Sequence, residues 1–474
     1  MTYFPRPDAR GVTTAAAAAL AFAVTAFAPQ VLNDGDTFLH IAAGSRMLAE
    51  HAILFRDPFS YTFAGARWDA HEWLAEMVMA LAYRGGGWSG LLLLFACAAG
   101  ASGGVLAHAL GRRLDWRAQG IVALLAMACM TGSLLARPHL LALPLLAIWT
   151  AELVAARAAG RTPSWWLLPV MCLWANIHAS FLAGLAVAGG LALEAVIADR
   201  RAWRGWAMFG AGALCAALVN PHFVDGVLFP LALMATPALA HIGEWQATTI
   251  SPFNPIVLVS AATIYYLATR RVRLPPVRAA MLVGLLAMAL MHARHQIVFA
   301  MVAPLLLADP LASHAPHPLR TRPALAMGAM LLILLGAVRL ALPATRRDAA
   351  VAPMTALAHV PPALRAMPVL NDYSFGGYLI FAGVRPFIDS RAELYGEAAL
   401  ERYAELVRPD AKTLTAAIAQ YGIRWTILPP SSPIVAELDA RPGWRRLYAD
   451  RFAVVQIRDS APDKKLSELL RRAP

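Results

Sequence analysis

The sequence is poor in charge. Asp, Glu, Lys and Arg make up only 15% of its 474 residues against 59% hydrophobic, a balance that excludes a water-soluble fold of this length. Cysteine is scarce as well. Cys97, Cys129, Cys172 and Cys215 each lie inside an apolar run with no close metal-ligand spacing, so no disulfide framework is implied. There is no internal repeat, and no low-complexity segment beyond an alanine bias. The H-E-x-x-H signature fails because Ala75 stands where its second histidine belongs, which argues against a zinc hydrolase. The net charge of +12 would suggest nucleic-acid binding in a soluble chain. Here the arginines mostly sit in short loops between apolar runs, so the excess reads as membrane topology and no nucleic-acid partner is expected.

What the chain has in abundance is apolar runs. Segments near 11–32, 88–111, 117–136, 138–156, 164–177, 179–198, 205–220, 254–270, 276–292, 296–310 and 323–343 approach the ~20 residues a crossing needs, which gives about eleven crossings. Ala26-Phe27-Ala28 resembles a signal-cleavage site, but Pro29 disfavours cleavage, so the first run is read as a retained helix. Residues 71–84 are apolar but short and predict a helix on the membrane surface. With the N-terminus inside, the inner loops receive Arg112, Arg113 and Arg117, then Arg157 and Arg161, then Arg200, Arg201 and Arg204, then Arg270, Arg271 and Arg273, then Arg320 and Arg322. That is the positive-inside pattern. Arg46, Arg56, Arg67 and Arg84 in the first outer loop run against it, but they are interleaved with carboxylates.

An odd number of crossings puts the tail outside. After residue 343 prolines cluster at 353–368 and apolar runs shorten. Strands are expected at 369–370, 377–381, 386–388, 425–428 and 452–457, with helices at 396–407 and 411–421. The fold class is therefore mainly α. A polytopic transmembrane bundle at 1–344, with a large first periplasmic loop at 33–87, precedes a small periplasmic α/β domain at 345–474.

Chemistry-bearing residues gather at the outer helix ends. The first outer loop carries NDGDTFLH (33–40), FRDPFSYTFAG (55–65) and WDAHEWLAE (68–76). Later outer ends supply Arg137-Pro138-His139, Asn176-Ile177-His178, Asn220-Pro221-His222, HIGEW at 241–245 and His292-Ala293-Arg294-His295. Polar groups near a bilayer are costly unless paired or hydrated, so their recurrence at one face predicts a shared cavity. Wet helix ends with snorkelling side chains are the simpler account of any one of them.

Asp34 and Asp36 form a D-x-D pair around Gly35. They read as ligands of a divalent cation such as Mg or Mn, or as one base toward an acceptor nucleophile. The plainer role is helix capping, with Asp36 as cap and Asp34 free, or the reverse. Arg137, Arg294 and His295 suit an anion, because guanidinium groups match phosphate oxygens. His40, Asp57, His71, Glu72, His139, Asn176, His178, Asn220 and Glu244 complete the expected cavity. In the tail, NDYSFGGYL (371–379) and FIDSRAELYG (387–396) place Asp389 and Arg391 at the end of an expected strand, as a site or as an internal salt bridge.

The NDGD segment, DPFSYT, HEWL, the R-P, W-A-N-x-H and N-P motifs and the NDYSFGGYLIF…FIDSRAELY tail together resemble bacterial multi-pass glycosyltransferases of the GT-C superfamily. The resemblance is to relatives of protein O-mannosyltransferases and lipid A aminoarabinose transferases. It implies a bacterial inner-membrane enzyme that transfers a hexosyl or pentosyl group from a polyprenyl-phosphate donor to a periplasmic acceptor, with inversion at the anomeric carbon. It maps the acidic catalytic role onto Asp34 or Asp36, donor phosphate binding onto Arg137 or Arg294, and a second acidic role onto Asp57, Glu72 or Glu244. A lipid-linked sugar transporter and a non-catalytic polysaccharide assembly protein are the alternatives. Few midplane charges and the absence of repeats speak against the transporter.

Overall fold

The computed structural model describes residues 8–234, 245–312, 322–408 and 410–458. The described residues group into two compact units. One comprises 1–31, 82–235 and 240–344, and the second joins 32–81 to 345–474. The first outer segment, assigned above to the membrane part, is thus built into the same unit as the tail.

In chain order the helices begin with α1 (Ala9–Phe27), whose N-terminus is capped by Asp8, and α2 (Asp36–Glu50). Next is α3 (Trp73–Gly111), broken at Gly86 and Gly87, where the φ of 56° at Gly87 needs glycine. That break separates the expected short helix from the expected span. There follow α4 (Trp116–Met130), α5 (Pro138–Ala158), α6 (Leu167–Ala175), α7 (Phe181–Ala198) and α8 (Trp203–Ala217). The series continues with α9 (Phe223–Met234), α10 (Pro255–Thr269), α11 (Pro276–Met291), α12 (Gln296–Leu307) and α13 (Arg322–Ala341). Every expected span holds a helix, and α9 is additional. Among the described residues, five helices are long and apolar enough to cross a membrane, so lengths alone do not yield eleven crossings.

Buried charge ties this unit together at its arginine-rich end. Arg278 Nε lies 2.9 Å from Glu194 Oε2, and its NH1 is 3.3 Å from Asp309 Oδ2. Arg157 closes on Glu194 at 3.0 Å and Arg113 on Asp309 at 2.7 Å. Glu194 and Arg278 are buried, and shared partners are what make buried ions tolerable. Arg113 and Arg157, read above as topology signals, are therefore also structural.

The second unit adds α14 (Met354–Ala358), α15 (Pro362–Arg365), α16 (Gly376–Phe381), α17 (Ala392–Leu406), α18 (Ala411–Tyr421) and α19 (Pro433–Asp439). Its sheet is β1 (Val369–Asn371), β2 (Trp425–Leu428), β3 (Trp444–Ala449) and β4 (Val454–Arg458), in the order β1-β2-β4-β3. β1 pairs parallel to β2 (Val369 opposite Trp425), and β4 runs antiparallel to β2 (Ile427 opposite Val455) and to β3. β2 is buried throughout, as its unbroken apolar run requires. One core contains Ala43, Met47, Leu54 and Trp68 from the first segment alongside Leu370, Ile388, Leu414, Leu428 and Val454 from the tail.

Two strand expectations need correction, and one strand was not expected. Residues 377–381 are helical: Asp372 caps Ser374 N at 2.9 Å and starts a turn that runs into α16. A short apolar run does not by itself tell helix from strand. Residues 386–388 join no sheet, so Asp389 does not end a strand. Their backbone is held instead by the Asn371 side chain, which accepts from Phe387 N and donates to Ile388 O, each at 2.8 Å. β3 went unread because its Arg445 and Arg446 are exposed on an edge strand and leave little apolar alternation.

Candidate active site

α2 begins where the acidic pair stands. Asp34 Oδ2 accepts from both Thr37 N and Thr37 Oγ1 at 3.2 Å, so Asp34 does the capping and Asp36 occupies the first turn, where the helix dipole favours a carboxylate. Asp34 is buried and Asp36 partly exposed. The turn is pressed against the tail. A Cβ on Gly377 would fall 2.3 Å from Gly35 O, and one on Gly35 would fall 2.9 Å from Ser374 O. Of the two glycines of NDYSFGGYL, Gly377 is there for this approach, and Gly376 makes room for the backbone of Ile388 and Asp389. Phe38 packs edge-on against Tyr378 and Phe381, at 5.3 Å each, and the Arg346 guanidinium lies 4.8 Å from its ring. Burial pushes the Arg346 pKa down, and the charge of Asp34 works against that fall. Arg346 lies in TRRDAAV, at the start of the tail, where no motif marked it, and only its structural neighbours single it out.

On the same helix His40 sits between two glutamates. Its Nδ1 is 3.1 Å from Glu76 Oε1 and its Nε2 is 3.7 Å from Glu72 Oε2. Burial alone would lower its pKa, but the hydrogen bond to Glu76 and the charges of Glu72, Glu76 and Asp36 outweigh it and push it up to about 9. His40 is therefore a cation at neutral pH, which unsuits it as a base or a metal ligand. His71 reaches Glu72 more loosely, at 3.9 Å. Glu76, passed over as a site residue above, is buried, and its Oε2 has no hydrogen-bond partner among the described residues. Nor do described His, Cys, Asp and Glu side chains form a metal-holding group of three or more. With Asp34 committed to Thr37 and facing a guanidinium, the donor set does not fit a divalent cation.

Asp57, Asp389 and Arg391 come together as the internal ion pair weighed above, enlarged by one member. Arg391 reaches Asp389 through Nε at 2.8 Å and NH2 at 2.7 Å, and Asp57 through NH1 at 2.8 Å. All three side chains are at most 2% exposed. Tyr395 OH donates to Asp389 at 2.7 Å, Ser60 Oγ donates to Asp57, and the guanidinium lies 4.6 Å from the Trp68 ring. With their lone pairs so occupied, these carboxylates hold DPFSYT against FIDSR and have little left for a substrate.

In the other unit, Arg137 is the residue before α5 and is partly buried. Nearby, His139 Nε2 is 2.8 Å from Ser133 O, and the His139 and His178 rings are 6.1 Å apart. Asn176 donates to Cys172 O and Val219 O at 2.8 Å, and Asn220 Oδ1 accepts from His222 N at 2.8 Å. Both amides thus finish helix ends. Arg294 stacks over Trp245 at 4.3 Å. Burial, then the charges of Arg294 and His292, hold His295 down at about 4; it is neutral at pH 7 and offers a phosphate no charge. Glu244, with most of HIGEW, lies outside the described residues.

No family model and no curated protein sequence matches this chain. Among solved structures, ArnT from Cupriavidus metallidurans bound to undecaprenyl phosphate matches with a TM-score of 0.54 at 16% identity, covering 94% of this chain and 98% of that one. The oligosaccharyltransferase of Archaeoglobus fulgidus in its apo form matches at 0.53 and 11% identity, over 88% of this chain and 69% of that one. The archaeal oligosaccharyltransferase AglB from Archaeoglobus fulgidus, in complex with an inhibitory peptide and a dolichol-phosphate, matches at 0.52 and 11% identity, over 88% of this chain and 69% of that one. Both proteins are GT-C superfamily members. This chain has the GT-C fold. In that fold the expected helical membrane part and small C-terminal sheet are both present.

Proposed function

We propose that this chain is a membrane glycosyltransferase that moves a sugar from a polyprenyl-phosphate donor to an acceptor on the outer side of a bacterial inner membrane. The observation that carries the reading is the near end-to-end likeness to ArnT, whose structure holds undecaprenyl phosphate, in a chain whose α2 opens with Asp36 partly exposed beside a buried Asp34 that caps Thr37. The topology that goes with it is about eleven crossings, N-terminus inside and tail outside.

Asp36 is the proposed base. An acceptor hydroxyl attacks the anomeric carbon from the face opposite the lipid phosphate. The new C–O bond forms as the bond to phosphate oxygen breaks, the acceptor proton passes to Asp36, and polyprenyl phosphate leaves. The phosphate is already a good leaving group, so the protein's part is to position the acceptor, remove its proton and neutralise developing charge. Arg137 and Arg294 are the proposed phosphate ligands. Asp34 positions α2 and balances Arg346. No step is routed through a metal.

Membranes carrying Asp36→Asn should lose transfer from a labelled polyprenyl-phosphate sugar by about 10²–10⁴-fold, the usual contribution of a general base. Asp34→Asn keeps a capping oxygen and should lose less. Full activity in both variants would overturn the assignment. Transport of the lipid-linked sugar across proteoliposomes without any acceptor would favour a carrier instead.

A further inference from the structure

The unit that holds α1, α5 and α13 contains a cavity of about 1340 Å³, lined almost wholly by apolar residues along most of its length. Its wall on α3 runs from Leu93 to His108, about 22 Å at a rise of about 1.5 Å per residue. That is more than half of a ~30 Å hydrocarbon core. Gly100 and Gly104 on α3 and Gly328 and Gly336 on α13 line the channel. One end differs: His108, Arg112, Arg113, Glu152 and Asp309 line it together.

The lining at that end holds two arginines, Arg112 and Arg113, against two carboxylates, Glu152 and Asp309, and the ion-pair network behind it engages both carboxylates. Asp309 is held by Arg113 and Arg278, Glu194 by Arg278 and Arg157, and Glu152 lies 3.8 Å from Arg161. Counting Arg112, five arginines face three carboxylates. Arg112 is exposed and none of the described ion pairs includes it, so it supplies the surplus positive charge at the mouth. A long apolar channel ending in surplus arginines is chemically matched to one molecule, a bilayer lipid with an anionic phosphate headgroup.

We propose that this cavity is a binding site for an anionic phospholipid, with its acyl chain along α3 and α13 and its phosphate on Arg112, His108 offering a hydrogen bond and no charge. None of its lining residues belongs to the unit that holds α2, and the proposal does not depend on the glycosyltransferase reading. A phospholipid is chosen over a polyprenyl phosphate because the channel stops within the apolar depth and its polar end is the arginine-rich one, which faces the inner leaflet in the topology above.

The full chain, purified in a neutral detergent, would be titrated with phosphatidylglycerol and with phosphatidylcholine and read by native mass spectrometry. Phosphatidylglycerol should give a saturable single adduct at a concentration at least 10-fold below that needed for phosphatidylcholine. Arg112→Gln with His108→Gln should abolish that preference. Ala101→Leu with Ala329→Leu, which fills the channel and leaves the charges in place, should weaken both adducts by 10-fold or more. A thermal melt of each variant reports folding. Equal binding of the two lipids, adducts indifferent to both pairs of substitutions, or displacement of phosphatidylglycerol by an equimolar polyprenyl phosphate would each overturn the proposal.

Discussion

Replacing Arg391 by Met leaves Asp57 and Asp389 facing each other with no cation, in a place where both side chains are fully buried. The arginine makes three charge-assisted contacts between 2.7 and 2.8 Å and lies over the Trp68 ring. Removing one partner of a buried ion pair costs about 3–5 kcal/mol, because the remaining charge has lost its compensation. For a unit of this size that corresponds to a fall in Tm on the order of 10 °C. The assay is thermal unfolding of the full chain in detergent, with hydrogen exchange read over residues 55–63 and 385–395. These two stretches are zipped together by Thr62 Oγ1 to Phe387 O at 2.6 Å and Arg385 to Ser60 O at 3.1 Å, so they should lose protection together. The stranded carboxylates can be relieved by protonation, so the deficit should narrow as the pH is lowered toward 5. Arg391→Met combined with Asp57→Asn and Asp389→Asn removes all three charges and should recover much of the loss. An Arg391→Met protein that melts with the parent and keeps its exchange protection would refute this account of the triad.

His40 gives a pH dependence of known sign. Its pKa is raised in the folded chain, from an ordinary value near 6.5 to about 9, so its contribution is fully present below about pH 6.5 and lost as the pH rises through 9. That contribution is at most about 3 kcal/mol, and Glu76→Gln should flatten the alkaline limb of a melting-versus-pH curve. Asp34→Ala removes the cap on Thr37 and should cost about 1 kcal/mol, with Asp34→Asn costing less, as measured by the same melts. Gly44→Ala should be worse than either. Its Cβ would fall 1.9 Å from Glu76 O, so α2 must move off the start of α3, at a cost of about 1–3 kcal/mol; an alanine variant as stable as the parent would show that the two helices are not held at this spacing.

The helical part was legible because apolar runs of bilayer length have few other uses. Its details were not. The break at Gly86–Gly87 was visible as a gap between two apolar segments, but the association of residues 32–81 with the tail had no periodic signal. It rests on pairings more than 300 residues apart, such as Trp68 Nε1 to Glu393 Oε1 at 3.0 Å. The same distance in sequence hid Arg346, whose meaning comes only from Asp34 and Phe38. Strand assignments failed where side chains had taken over the backbone's hydrogen bonds, as Asn371 does for Phe387 and Ile388.

The motifs that carried the sequence resemblance divide once their contacts are known. DPFSYT and FIDSR spend their charges on one another, WDAHEWLAE supplies Glu72 and Glu76, which keep His40 protonated, and Gly377 of NDYSFGGYL admits the turn at Gly35. These are reasons of architecture, and a carboxylate whose oxygens are already taken up by hydrogen bonds or a guanidinium has none left to offer a substrate. By that criterion Asp57 and Asp389 drop out of the chemistry first, then Asp34, whose Oδ2 serves Thr37. Asp36 is set apart by position rather than by motif: it alone of the acidic pair combines partial exposure with a place in the first turn of α2. If the chain transfers a sugar, the substitution that should matter most in the first outer segment is Asp36→Asn, and a loss confined to Asp57→Asn would trace to a loosened fold.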